Sequence, residues 1–305
     1  MTGLRTAPIV PRVILSVLHS DRVAPRTAPH RDGRSTALEL IHAIYEPAPH
    51  AVLYTPLCKI EPVLRTCHSL VSTDGARLSA AVAYTETSVE FAWALPRRGE
   101  TLRNLLMQVK HRLGRVDFLP VMEGGRRAWS QTLGLSVLGR CFRARYTGAC
   151  DTPAGWPADF RVVPCDPAHD LDAAAALINE AYPSLPHLIT PEHLATMASA
   201  GSYLPEGWFF VRDEATGRAA GLAINGLCRE TGEGFIEWIE LLPRYRHRGL
   251  GSRLVHESVR RLQAARFITV SGSLDAPFAV GDLYRQCGFG PVCQWTILGQ
   301  RPAGG

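Results

Sequence analysis

At 305 residues the chain is long enough for one large or two ordinary domains, and its 46% hydrophobic content is that of a globular protein. No apolar run approaches the ~20 residues of a membrane span, so a membrane-spanning reading is excluded. The net charge of +5 sits largely at one end, residues 1–35 holding six Arg against two Asp; the nearly neutral remainder gives little support to a nucleic-acid-binding surface.

Residues 1–35 are rich in Pro and Arg and low in pattern, which predicts a flexible basic extension, with a partner-binding arm as the sharper alternative. Val13–Leu18 is too short and too proline-flanked for a signal sequence core. From residue 36 the pattern becomes ordered. Thr36 to Tyr45 reads as a short helix and Ala51–Tyr54 as a strand. Leu78–Tyr84 and Ser88–Leu95 read as neighbouring strands around a turn at Glu86-Thr87, the second stopped by Pro96. Leu102, Leu105, Leu106, Val109 and Leu113 form a helical face; a strand over Val116–Val121, a helix over Arg126–Leu133 and strand-like residues from Leu135 to Tyr146 follow. Gly148 to Pro157 has the composition of a linker.

Beyond the linker, Phe160–Val163 predicts a strand and Asp170–Ala181 a helix with Leu171, Ala174, Ala175, Leu177, Ile178 and Ala181 on its apolar side. Pro191 opens a second helix, at a position where its missing N–H costs nothing. Trp208–Val211 and Ala219–Cys228 form an antiparallel pair, and Phe235–Leu242 a mostly buried strand ended by Pro243. A glycine turn then leads into a helix with Leu250, Leu254, Val255, Ser258, Val259 and Leu262 on one face. Strands at Ile268–Ser271 and Val292–Leu298 complete the order. Gly249 and Gly251 let backbone N–H groups at this helix start approach a ligand closely; the positive dipole end, with Arg246, His247 and Arg248 beside it, suits a phosphate or pyrophosphate. The spacing is neither that of a P-loop nor Gly-x-Gly-x-x-Gly.

Arg246-His247-Arg248-Gly249-Leu250-Gly251 resembles the acyl-CoA signature of the GNAT superfamily of N-acyltransferases, Gln/Arg-x-x-Gly-x-Gly/Ala after a strand that ends in proline. Leu283-Tyr284-Arg285-Gln286-Cys287-Gly288-Phe289 is similar to the family's Leu-Tyr-x-x-x-Gly-Phe segment. The resemblance covers about residues 158–300. The segment Phe91–Pro96 and the segment Trp129–Leu135 repeat the same order at a similar distance, Pro96 to Gly134 being 38 residues and Pro243 to Gly288 being 45. The expected architecture is therefore α/β (α+β), two tandem GNAT-like domains, each a mixed, mostly antiparallel sheet flanked by helices. Residues 36–147 would be a degenerate copy, 148–157 the linker and 158–300 the catalytic domain. The first copy lacks the Gly-x-Gly step, places Glu100 at its helix start and has Ser130 where the tyrosine would stand.

The resemblance implies N-acetyl transfer from acetyl-CoA to a primary amine of a small molecule or protein, by direct attack and without a metal. Backbone groups of His247 through Ser252 would hold the pyrophosphate, with Arg246 and Arg248 beside them, and Ile239, Glu240 and Leu241 the pantetheine arm; the N–H of Leu241 would polarise the thioester. Tyr284 is the candidate general acid, Glu237 the favoured general base and Glu240 its competitor; a regular strand would point the two carboxylates to opposite faces, and a bulge between them could change that. Where many relatives carry an Asn seven residues before the tyrosine, this chain has Pro277, so either this loop holds the cofactor differently or Ser273 and Asp275 substitute. His187 and His193 flank the region that forms the acceptor side in relatives, and read as surface positions rather than substrate contacts. A non-catalytic acyl-CoA-binding module is the rival reading. The eight cysteines are scattered without a Cys-x-x-Cys pair, which argues against zinc and predicts reduced thiols in a cytoplasm; Cys287 and Cys293 read as small hydrophobes rather than acyl carriers.

Overall fold

The computed structural model describes residues 16–17, 33–74, 77–95, 97–148, 155–183, 188–274 and 280–300. Most of the expected basic extension lies outside them, as do Pro96, most of the linker, His187, and Asp275 with Pro277. The chain divides into two compact units, Met1–Arg143 with Cys293–Gly305, and Ala144–Val292.

In the first unit, β1 (Ser16–Val17) precedes helix α1 (Gly33–Tyr45), the short helix α2 (Pro49–Val52) and α3 (Leu57–Leu64). α2 corrects the expected strand at Ala51–Tyr54. A four-residue apolar run carries no period that separates strand from buried helix. Pro49 at a helix start and the buried Arg143, which donates to Pro49 O and Leu53 O at 2.9 and 2.6 Å, settle it as helix. Strands β2 (His68–Asp74), β3 (Arg77–Tyr84) and β4 (Val89–Ala94) form an antiparallel run, with β1 parallel to β4. α4 (Gly99–Leu113), β5 (Leu119–Met122), α5 (Arg126–Leu133) and β6 (Ser136–Tyr146) follow. β5 begins later than the expected Val116; α3 and β2 carry no helix or strand signal strong enough to have been read. β5 pairs antiparallel with the C-terminal strand β12 (Phe289–Gly299) through Trp295–Leu298.

The second unit runs β7 (Phe160–Pro164), α6 (Leu171–Ala181), α7 (Pro191–Ser199), β8 (Phe209–Asp213), β9 (Ala219–Cys228), β10 (Glu233–Leu241), α8 (Leu250–Arg261), β11 (Phe267–Ser273) and α9 (Val280–Gln286). Its strands lie in the order β11-β10-β9-β8-β7, antiparallel except for the β10–β11 pair. Ala174, Ile178, Leu194, Trp208, Phe209, Phe210, Leu222, Ile224, Leu250 and Leu254 fill its core; the apolar stripes of α6 and α8 close over the strands as their 3.6-residue period requires. Among the described residues no helix is long and apolar enough to cross a membrane.

Each unit carries a bulge on its central strand. In β10 the register against β9 jumps between Ile236 and Trp238, leaving Glu237 as the extra residue. In β4 the register against β3 goes from Val89 opposite Tyr84 to Phe91 opposite Ala83, leaving Glu90 as the extra residue. Both glutamates stand six residues before a proline. In β10 the ladder to its parallel neighbour β11 reaches only to Ile236 opposite Val270, before the bulge; in β4, Val89 N–H donates to Phe118 O at 2.9 Å before the bulge, and β1 pairs in parallel beyond it, at Trp93 and Ala94.

Candidate active site

β10 and β11 part company at the bulge. Their ladder ends at Ile236–Val270, while the strands continue to Leu241 and Ser273. An inserted residue bends its strand and raises the local twist, so Glu237 drives the two strands apart. Residues Glu237 to Leu241 are accordingly all partly exposed, whereas Glu233 to Ile236 are buried. On its other edge this half of β10 stays paired to β9, Glu240 opposite Leu222 and Leu241 opposite Gly221. Gly221 is required there: a Cβ would lie 2.8 Å from the Glu240 carbonyl oxygen and 2.7 Å from the Leu241 side chain. The opening between β10 and β11 is thus bounded by a strand that is held in register on one edge and has lost its ladder on the other.

The bulge also decides which side chains share a face. Beyond it, Trp238 lies opposite Ile224 and Glu240 opposite Leu222, on one face; Ile239 and Leu241, opposite Ala223 and Gly221, lie on the other. Leu241 reaches toward Leu254 and Gly251 of α8, so the Ile239–Leu241 face is the α8 face. Glu237, as the bulge residue, belongs to neither regular alternation.

Glu240 is a carboxylate in low-dielectric surroundings. Burial pushes its pKa up to about 7, and the nearby Arg246 cation opposes that rise. Tyr284, on α9, is buried with its ring edge-on to Phe289 at 5.6 Å. Burial raises its phenol pKa, and the Glu240 charge and Cys287 raise it further. The structure therefore brings two of the three predicted chemical residues, Glu240 and Tyr284, into electrostatic contact.

The turn between β10 and α8 is built on fixed anchors. Pro243–Tyr245 form a short 3₁₀ turn. The buried Tyr245 donates its hydroxyl to Asp213 at 2.9 Å, meets Phe160 edge-on, and carries the Arg244 and Arg248 guanidinium groups over its ring at 5.1 and 5.6 Å. Arg244 pairs with Glu180 at 2.9 Å. His247 and Gly249 follow with φ of 60° and 72°. Left-handed residues in a turn direct backbone N–H groups into one concavity, a geometry suited to anions. No side chain caps α8 at Gly249, so its first-turn N–H groups at Leu250, Gly251 and Ser252 face the same concavity with the positive end of the helix dipole. Ser252 and Arg253 donate to Gly249 O at 2.9 and 3.2 Å and stiffen the turn. A nucleoside diphosphate group fits this cradle by charge and by backbone donors, and the adjacent β10 edge suits an extended amide-bearing arm.

Other expected residues fall elsewhere. Arg246 turns its guanidinium to protein carbonyls, donating to Leu241 O at 3.1 Å and Ala181 O at 2.5 Å. His193 is a capping residue of α7, its backbone N–H donating to Thr190 Oγ1 at 3.4 Å. Cys287 is buried, and burial raises the thiol pKa of the half-buried Cys293. Among the described residues no group of His, Cys, Asp or Glu is arranged to hold a metal ion. Sequence reasoning missed the Tyr245–Asp213 and Arg246–Ala181 contacts. They join residues 32 and 65 positions apart, and nothing local signals them.

The sequence model of the Acetyltransferase (GNAT) family matches residues 173–289. No curated protein sequence matches the chain. Among solved structures, a GCN5-related N-acetyltransferase from Sphaerobacter thermophilus superposes with a TM-score of 0.61 at 19% identity, covering 80% of this chain and 86% of that one. A tandem GNAT protein from the clavulanic acid biosynthesis pathway gives 0.58 at 15% identity, covering 89% and 96%. A GNAT-family acetyltransferase from Colwellia psychrerythraea gives 0.55 at 9%, covering 90% and 99%. At these identities the structures speak to the fold, and they share its two-domain extent. Residues 173–289 thus match the GNAT acetyltransferase family, an acyltransferase family, within a mixed α/β fold that these GNAT structures share.

Proposed function

We propose that the second unit transfers the acetyl group of acetyl-CoA to a primary amine, carried by a small molecule or a protein, by direct attack in a ternary complex. The observation that carries this reading is the Glu240–Tyr284 pair beside the opening between β10 and β11. The N–H groups of the His247–Ser252 turn would hold the pyrophosphate, and the edge of Ile239–Leu241 the pantetheine arm as an added strand. A backbone N–H at Leu241 would polarise the thioester carbonyl.

Glu240 is suited to be the base. With a pKa at about 7 it is substantially ionised near neutrality, yet basic enough to take a proton from an ammonium group as that group becomes a nucleophile. Tyr284 is suited to be the acid, because its raised pKa keeps the phenol protonated. The two steps are coupled. When Glu240 accepts the amine's proton it becomes neutral, and one of the charges holding the proton on Tyr284 disappears. The phenol is then a stronger acid at the moment the thiolate, with a reference pKa near 8.5, departs.

Glu237 is assigned to the bulge rather than to proton transfer. The first unit supports this. Counting back from proline, Glu90 stands at the place of Glu237 and Trp93 at that of Glu240; counting back from Gly134 and Gly288, Ser130 stands at the place of Tyr284. Ser130 spends its hydroxyl on Leu135 O at 2.6 Å, at the end of α5. The bulge glutamate is thus present in a unit that lacks both proton-transfer groups, which is the pattern expected of a degenerate copy and of a glutamate kept for backbone geometry. The test is calorimetric titration with acetyl-CoA followed by thiol release across a panel of amines. One site per chain with amine-dependent thiol release supports the reading; binding with no release for any amine class overturns it in favour of a binding module.

A further inference from the structure

Arg246 stands where the acyl-CoA signature begins, but its side chain is committed elsewhere. Its Nε donates to the carbonyl of Leu241, the residue after Glu240, and its Nη2 to the carbonyl of Ala181, the last residue of α6. A guanidinium is a planar fork whose donors fix its orientation, so two carbonyls from separate elements leave it little freedom. We propose that Arg246 is a positioning residue for acyl transfer: by tying the end of β10 to the C-terminus of α6, it holds a permanent positive charge beside the Glu240 carboxylate. The inference rests on Glu240 being the base.

The groups facing Glu240 support it. From α9 comes Tyr284, neutral and protonated; from β9 comes Leu222, directly opposite and apolar; on α6, Ala181 O holds Arg246 and Glu180 is paired with Arg244. Arg246 is the charge that opposes the effect of burial on Glu240. Without it, a carboxylate in this setting would stay protonated further into the alkaline range and could not accept a proton at neutral pH. The α6 carbonyl is also well placed to share its cation, because a helix C-terminus is the negative end of the helix dipole. The anchor thus joins the wall that leads into the α6–α7 segment to the strand that carries the base.

The experiment reads the carboxylate itself. In protein labelled with ¹³C at the glutamate carboxyl, the Glu240 resonance is assigned by its loss in E240Q and titrated with pH, with thermal melting as the check on folding. The midpoint should move upward by about one pH unit or more in R246Q, and stay near the wild-type value in R246K, which keeps the charge. An unmoved midpoint in folded R246Q overturns the proposal. If neither variant folds, the ¹⁵Nε resonance of Arg246 in the wild type is followed across the same pH range and compared with E240Q. A titration step that E240Q abolishes supports the contact, and a featureless profile overturns it. Should E240Q retain full turnover while the R246Q midpoint still moves, the assignment of Glu240 as base fails and the electrostatic link stands.

Discussion

The negative charge of Glu240 on β10 helps hold the proton on the Tyr284 phenol of α9, two groups 44 positions apart in the chain. A carboxylate titrating at about 7 and a phenol held protonated are both in the states that the proposed base and acid require near neutral pH. The proton on Tyr284 depends on the charge of Glu240, so the effects of changing the two residues should not be additive.

Tyr284→Phe keeps the ring packed edge-on against Phe289 and removes only the hydroxyl. Turnover is expected to fall by about 10²–10⁴-fold, with acetyl-CoA affinity within a few-fold of wild type. Single-turnover kinetics beside calorimetry checks this; unchanged turnover removes Tyr284 as the acid.

E240Q has two signatures. In activity, the wild-type kcat/KM should fall as pH drops below about 7, where Glu240 becomes protonated, and the variant should lose that limb along with most of its rate. In stability the sign is opposite to that of a salt-bridged carboxylate. A folded-state pKa raised from 4.5 to about 7 means that ionising Glu240 disfavours the fold, a cost absent at pH 4 and fully developed above pH 7. The variant should therefore be more stable than wild type by about 2–3 kcal/mol at pH 8 and equal to it at pH 4, measured by denaturant unfolding. Equal stability at both pH values would show that Glu240 is not held in a desolvated site.

E237Q separates the bulge from the chemistry. With the backbone insertion retained, turnover is expected to stay within about ten-fold of wild type and the acid limb of the pH profile should not move. Loss of that limb in E237Q, with E240Q unaffected, would exchange the two assignments.

Gly249 has φ of 72°, and a Cβ there would approach the Arg253 guanidinium at 2.9 Å. Alanine should cost about 1–2 kcal/mol from the left-handed backbone alone, since the Arg253 tip can shift. Aspartate adds a negative charge inside the anion cradle, and titration should show acetyl-CoA binding abolished. Retained binding in Gly249→Asp would place the phosphate site elsewhere.

Removing residues 293–305 takes from the first unit the strand that pairs with β5. Trp295 is fully buried and donates its indole N–H to His50 O at 3.2 Å; Ile297 and Leu298 are buried with it. Each such side chain is worth about 1.5–3 kcal/mol. Hydrogen exchange should show lost protection at Leu119–Met122, and unchanged protection there would mean that β5 does not depend on β12.

Much of the second unit was legible because its signals are local. The apolar stripes of α6 and α8, the Pro243 stop and the Gly249 turn are set by backbone sterics and periodicity within a few residues. So were the signals that mark the proposed phosphate turn and Tyr284 as candidates. The four-residue run at Ala51–Tyr54 was not, since its helical state depends on a buried Arg143 about ninety positions away. The choice between Glu237 and Glu240 was also closed to sequence. One inserted residue in β10 reverses the alternation of every side chain after it, and only pairing with β9 reveals where the insertion sits. Sequence alone determined most of the elements and singled out the candidate phosphate turn and the candidate acid, Tyr284. Tertiary structure decided which carboxylate meets that acid, and what Arg246 holds, because desolvation and charge are properties of the space around a side chain rather than of its neighbours in the chain.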